Sequence, residues 1–176
     1  MILKDILNRS QLICNIPIGQ EGIVFYNEFL DALTDKALRN ASEVKETLFT
    51  VNDKKTDFYE IPKSTLFIVD VYKDNKKVDF RNSDNILFFS EKGKYKIKYT
   101  VYPDYASSVE DVLTHNSVYD NACIYFICYK KALQEHFDNE TVTNYLTSFS
   151  DYFNSAYNKR RVKSETNIIP RRPLIE

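Results

Sequence analysis

The sequence predicts an α+β fold with helices at both ends and an antiparallel β unit between them, and three observations predict it. Apolar residues recur at helical spacing up to about residue 41 and again from 118 to 158. The stretch between them changes to the alternating pattern of strands. Its connections are short and rich in turn formers, as antiparallel neighbours need. The architecture predicted is a helical bundle, made of N-terminal helices and a C-terminal αα-hairpin, with an inserted antiparallel β-meander and an extended C-terminal arm.

Taken in order, Leu3, Ile6, Leu7, Ile13 and Cys14 form one stripe of an amphipathic helix over 2–14, which Pro17 and Gly19 stop. A second helix is predicted over 20–41, with Tyr26, Phe29, Leu30, Leu33, Ala37 and Ala41 inward and Asn27, Asp31, Asp35 and Lys36 outward. The meander spans 47–103. Its central strand is the nearly continuous apolar run 66–72, and its last, 95–101, alternates aromatic or branched residues with lysines. Shorter strands are expected at 77–80 and 86–89, with an edge strand near 56–61 ended by Pro62. Turns fall at 73–76, 81–85 and 90–93.

A polar loop over 104–116, with a short helix at 109–113, leads to the most apolar part of the chain. Residues 122–129 pass without a charge or an amide, so a helix over 118–137 has no face for water alone and must be buried on several sides. A cleaner stripe follows over 140–158: Val142, Tyr145, Leu146, Phe149, Tyr152, Phe153, Ala156 and Tyr157 fall on one side. Asn139 is the expected N-cap of that helix. Residues 1–158 thus read as one domain, and 159–176, which lose periodicity and carry two prolines, as the arm.

Composition bounds the chemistry. A chain of 176 residues buries roughly 70% of its unfolded surface. With 24 basic and 25 acidic residues the net charge is -1, so no global field draws in nucleic acid or an anionic membrane. Polar residues interrupt any signal-like start and no apolar run is long enough to span a bilayer, so synthesis in the cytoplasm is expected. Cys14, Cys123 and Cys128 match no zinc spacing. On a helix the last two point about 140° apart, which suits buried small hydrophobes in a reducing compartment. His115 and His136 stand beside no ligand pattern, and His136 is expected to cap the end of the central helix. Three glycines leave no phosphate-cradling loop. No catalytic residue, metal site or cofactor is expected.

Three charged features remain. Asp74, Asp79 and Asp84 fall on turns, where aspartate serves local hydrogen bonds. Asp104, Glu110 and Asp111 could meet a cation or a basic partner. Lys94, Lys96 and Lys98 share one face of a strand and are the candidate DNA-facing residues, although such a row is more often the wet face of a sheet. The arm combines Lys159, Arg160, Arg161, Lys163, Arg171 and Arg172 with Ile168, Ile169, Leu174 and Ile175. Its apolar anchors have no core of their own to join, so Lys159, Arg160, Arg161, Lys163, Ile168, Ile169, Arg171, Arg172 and Leu174 are the candidate interface with a neighbouring subunit.

Over about 20–158 the chain resembles the phage head-to-tail adaptor (connector, head-completion) proteins of the tail tubular protein A type. The resemblance lies in the order helix, meander, helix hairpin. Locally it rests on Phe58-Tyr59-Glu60-Ile61-Pro62 entering the sheet, on the stretch from Gly93 to Pro103 closing it, and on a Tyr/Ala-rich helix followed by one ending Phe153-Asn154-Ser155-Ala156. It implies a structural virion protein that is not an enzyme: a homo-oligomeric, dodecameric ring below the portal protein at the neck. Such a ring extends the DNA channel without sequence-specific contact, involves no membrane, and offers a platform to the next tail or neck protein. Another neck or tail ring, such as a tail-completion protein, or a stand-alone phage protein-binding module, fits the same pattern. The segment before Gln20 and the arm have no counterpart in the resemblance.

Overall fold

The structure is a computed structural model that describes residues 1–37, 41–42, 44–51, 58–62, 65–83, 86–89 and 91–165. It is an α+β fold in which four helices and an antiparallel β unit each enclose a core of their own.

Helix α1 (Leu3–Cys14) starts where Asp5 accepts a hydrogen bond from the Ile2 N–H at 3.1 Å. Its first N–H groups have no intrahelical partner and donate instead to carbonyls of the later loop, Leu3 to Asp111 and Lys4 to Val109. Because those carbonyls face α1, and Ile2 bridges Val112, the short helix expected at 109–113 does not form. Asn15 ends α1 in the left-handed region. Helix α2 (Glu21–Lys36) approaches α1 so closely that a Cβ on Gly22 would lie 2.7 Å from Leu7. It ends five residues short of the expected 41. Beyond it the Ala41 carbonyl accepts from Asn116 N–H and Ser42 bridges His115, so that backbone serves the junction with the β unit.

Among the described residues seven strands follow: β1 (Lys45–Val51), β2 (Phe58–Glu60), β3 (Thr65–Lys73), β4 (Lys76–Val78), β5 (Arg81–Ser83), β6 (Ile86–Phe88) and β7 (Gly93–Val101). They do not form the expected single meander. One sheet has the order β1-β7-β3-β4, with β7 between β1 and β3, and a second has the order β2-β6-β5. The reason lies in the long strands: β7, apolar along one edge of its pleat, takes a partner on each side. The run 81–85, expected as a turn, begins with a strand that pairs β6. Asp74 and Asn75, both at positive φ, make the tight β3–β4 hairpin. Bulges in β3 break its alternation, so Ile68 and Val71, three apart, both face inward opposite Tyr99 and Ile97. The two sheets share a core in which Phe89 lies 4.2 Å from Tyr95 and 5.9 Å from Phe49, centroid to centroid, and Phe49 lies 5.0 Å from Tyr59.

A 3-10 turn (Ser117–Tyr119) leads into α3 (Asp120–Gln134), which packs against α1, α2 and a fourth helix, α4 (Asn139–Glu165). Small residues Ala122, Cys123, Cys128 and Ala132 line its buried faces, so several neighbours approach closely. The helix stops in a Schellman motif: His136 at φ 55° bonds its N–H to the Leu133 carbonyl and Phe137 bonds to that of Ala132. His136 therefore ends α3 with its backbone, past the last helical residue, and not with its ring. The cap of α4 is Asp138, not Asn139: its carboxylate accepts from the Thr141 N–H and hydroxyl, both at 2.8 Å. Those bonds hold its carboxyl below the usual aspartate value. Phe149, Phe153 and Ala156 of α4 are buried against α3 and the Tyr119 ring, whereas Leu146 and Tyr152, expected inward, stay half exposed. Helix α4 continues to Glu165, so Lys159, Arg160, Arg161 and Lys163 lie on helix and not in an extended arm. Their intrinsic helix propensity carries the backbone on where the apolar stripe stops. Ile168, Ile169, Arg171, Arg172 and Leu174 lie outside the described residues.

Candidate functional site

A buried polar chain lies where the segment after β7 packs into the helical core. His115, in the segment after β7, is 4% exposed. Its Nδ1 lies 2.9 Å from the Tyr26 hydroxyl of α2 and its Nε2 lies 3.0 Å from Asp120 at the start of α3. Burial pushes the Tyr26 phenol up, so it keeps the hydrogen it can share with Nδ1, while the carboxylate of Asp120 faces Nε2 as an acceptor. Phe29 packs edge-on against the same ring. Close by, Ser42 donates to the Val101 carbonyl at 2.8 Å and accepts from its N–H at 3.2 Å. The Tyr26 hydroxyl, both ring nitrogens of His115 and one Asp120 oxygen are thus engaged within the fold, which anchors the segment after β7 on α2 and α3. Sequence reasoning passed over His115 because its partners stand five and 89 residues away.

Above this junction lies an open groove of about 790 Å³. One wall is a flank of α2, with Asp31, Thr34 and Asp35 beside the buried Leu30; the other is the chain leaving β7, Tyr102 to Tyr105. The Asn27 amide holds the second wall in place, accepting from the Ala106 N–H at 2.9 Å and donating to its carbonyl at 3.0 Å. The Tyr105 hydroxyl donates to Asp31, which raises the phenol's pKa. Tyr102 and Tyr105 remain 53% and 63% exposed. Among the described residues no cation stands within ion-pair distance of Asp31, Asp35 or Asp104. Carboxylates and tyrosine rings side by side suit a cationic chain, above all arginine, which pairs with the first and stacks on the second.

The other predicted charges are largely spoken for. Lys94, Lys96 and Lys98 do share the open face of the first sheet, but Glu46 on β1 lies 2.9 Å from Lys98 and 3.8 Å from Lys96. Lys98 also lies over the Tyr72 ring. Only Lys94 of the three is exposed. Asp111 accepts from the Ser107 and Ser108 N–H groups, which lower its pKa, and Glu110 pairs with Lys4 at 2.9 Å. Asp104 therefore lies in the groove, while the other two acids tie the loop to itself and to α1. Asp84 lies outside the described residues. Among the described residues no group of three or more His, Cys, Asp or Glu is placed to hold a metal, and no helix is long and apolar enough to cross a membrane. The three cysteines are buried; Cys128 donates to the Ser10 carbonyl across the α1–α3 contact, and burial pushes the Cys123 and Cys128 thiols well up.

No protein-family model and no curated protein matches the chain.

Proposed function

We propose that this chain is a structural protein of a phage virion, a head-to-tail adaptor whose copies form a ring below the portal, extend the DNA channel and present a platform for the tail. The observation that carries the reading is the build of the molecule: two helices, a β unit with its own core, and an αα-hairpin, in the order the adaptor resemblance implies, with the segment after β7 anchored to α2 and α3 through the Tyr26–His115–Asp120 chain. A subunit of a load-bearing ring benefits from such an anchor, because it carries load from the end of the β unit into the helices.

The surface supports the same reading. An acidic groove with no ion-paired cation among the described residues and a basic helix end occupy different parts of one chain, which suits the unlike surfaces of a closed head-to-tail ring. A net charge of -1, with two of the three row lysines paired to Glu46, suits a conduit that lets DNA slide past. Electron microscopy of the chain mixed with the portal encoded nearest its gene tests the proposal. A ring of added density on the tail-facing side of the portal is expected; bare portals at saturating chain would reject it.

A further inference from the structure

We infer that the groove between α2 and residues 102–105 is the receptor for the basic C-terminal segment, residues 159–176, of a second copy of this chain. The inference rests on the ring reading only in expecting the contact to repeat; the contact itself can be tested without a portal.

Charge and chemistry match on the two sides. The groove holds Asp31, Asp35 and Asp104 with two largely exposed tyrosines, and no cation among the described residues neutralises it. The segment carries Lys159, Arg160, Arg161, Lys163, Arg171 and Arg172 against Glu165 and Glu176 only. Arg171 and Arg172 are bracketed by Ile168, Ile169 and Leu174, so two guanidinium groups arrive together with apolar flanks. Arginine forks onto a carboxylate through paired N–H donors and lies flat on a tyrosine ring, and the groove presents both surfaces along one wall.

The direction of the contact follows from α2. This helix turns Lys36 toward α4, over the Phe149 and Phe153 rings at 5.9 Å from each centroid. At 3.6 residues per turn Thr34 and Asp31 lie roughly 200° and 140° round the helix from Lys36. The groove therefore opens on the flank of α2 turned away from the helix that carries the segment. Unlike flanks of identical copies meeting in this way make a heterologous contact, which repeats head to tail and closes into a ring when the rotation allows.

Sedimentation velocity of the full-length chain at low ionic strength, over a range of concentrations, tests this with three variants. One reverses the groove (Asp35→Lys with Asp104→Lys), one reverses the segment (Arg171→Glu with Arg172→Glu), and one carries all four changes. Asp35 and Asp104 are exposed, so the fold should survive their replacement. The native chain should self-associate, each two-residue variant should associate at least tenfold more weakly, and the four-residue variant should regain association, which also shows that both sets of changes leave the chain folded. A native chain that stays monomeric throughout, a groove variant that associates as the native chain does, or a four-residue variant that fails to recover would each overturn the inference. If the groove variant still coats portals normally, this contact is wrong while the adaptor reading stands; if the native chain self-associates through the groove yet ignores portals, the reverse holds.

Discussion

Ile127 and Ile97 are both fully buried, yet one lies in a core shared by four helices and the other between two thin sheets. Around Ile127 the neighbours are long helices whose close contacts are set by Ala122, Cys123 and Cys128, and none can move without disturbing the others. Around Ile97 the second sheet offers only three-residue strands, and the far face of the first sheet meets water. A large, interlocked core should keep a cavity open, whereas a thin one should collapse into it. The helices should thus carry most of the stability, with the β unit the more compliant part; His115 anchors the segment that leaves it on α2 and α3.

The sharpest way to break that contrast is to make the same cut in both cores. Leu/Ile→Ala substitutions cost about 2–5 kcal/mol according to how well the site relaxes. Ile127→Ala should fall near the top of that range and Ile97→Ala near the bottom, read from urea midpoints at unchanged slope. Equal losses would remove the distinction.

The next largest effect is expected at the junction. His115→Phe strands the Tyr26 hydroxyl and the Asp120 carboxylate, at roughly 1–3 kcal/mol for each stranded group. Beyond the loss itself, far-UV circular dichroism and tyrosine fluorescence should cease to report one coincident transition, because the segment after β7 loses its side-chain anchor on α2 and α3. A single, merely shifted transition would show that other contacts couple the two cores.

A smaller effect separates the modules by pH. Lys131, buried in α3, lies 2.9 Å from Glu21 of α2 and holds that carboxyl below its ordinary value of 4.5. A depressed carboxylate stabilises the folded state above its unfolded value, and the contribution disappears as pH falls through the folded one. Melting temperature should therefore decline below about pH 4.5, and Glu21→Gln should be less stable at neutral pH with a shallower acid limb. An identical limb in the variant would exclude Glu21 as a contributor.

The least effect on stability is expected from Glu46→Gln on the open sheet face, where exposed pairs contribute little. Its melting temperature should stay put while Lys96 and Lys98 are released. Weak, salt-sensitive affinity for duplex DNA should then rise above that of the native chain; no change would show that the lysine row is irrelevant to DNA even when unpaired.

Legibility in the sequence followed the same divide. Helix α3 could be read because eight successive residues without charge or amide leave no wet face, and α1 and α2 because their stripes point at one core. Strand β1 could not, since Leu48 points to water at 79% exposure and confuses the alternation, and the β3 bulges place Ile68 and Val71 inward at a spacing no strand pattern predicts. The end of α4 was read too early because a helix that projects beyond its core shows no apolar stripe. Of the groove, only Asp104 stood out. Asp31 and Asp35 read as the ordinary polar face of α2, and they became one wall of a site only when the Asn27 amide clamped Ala106, 79 residues away.

Mass photometry of the purified chain, alone and with the portal encoded nearest its gene, addresses the proposed role most directly. A ring subunit should give a large discrete species once portal is added, with a mass step equal to a whole number of chains. A chain that remains monomeric, with the portal mass unchanged at every ratio, would contradict the adaptor reading.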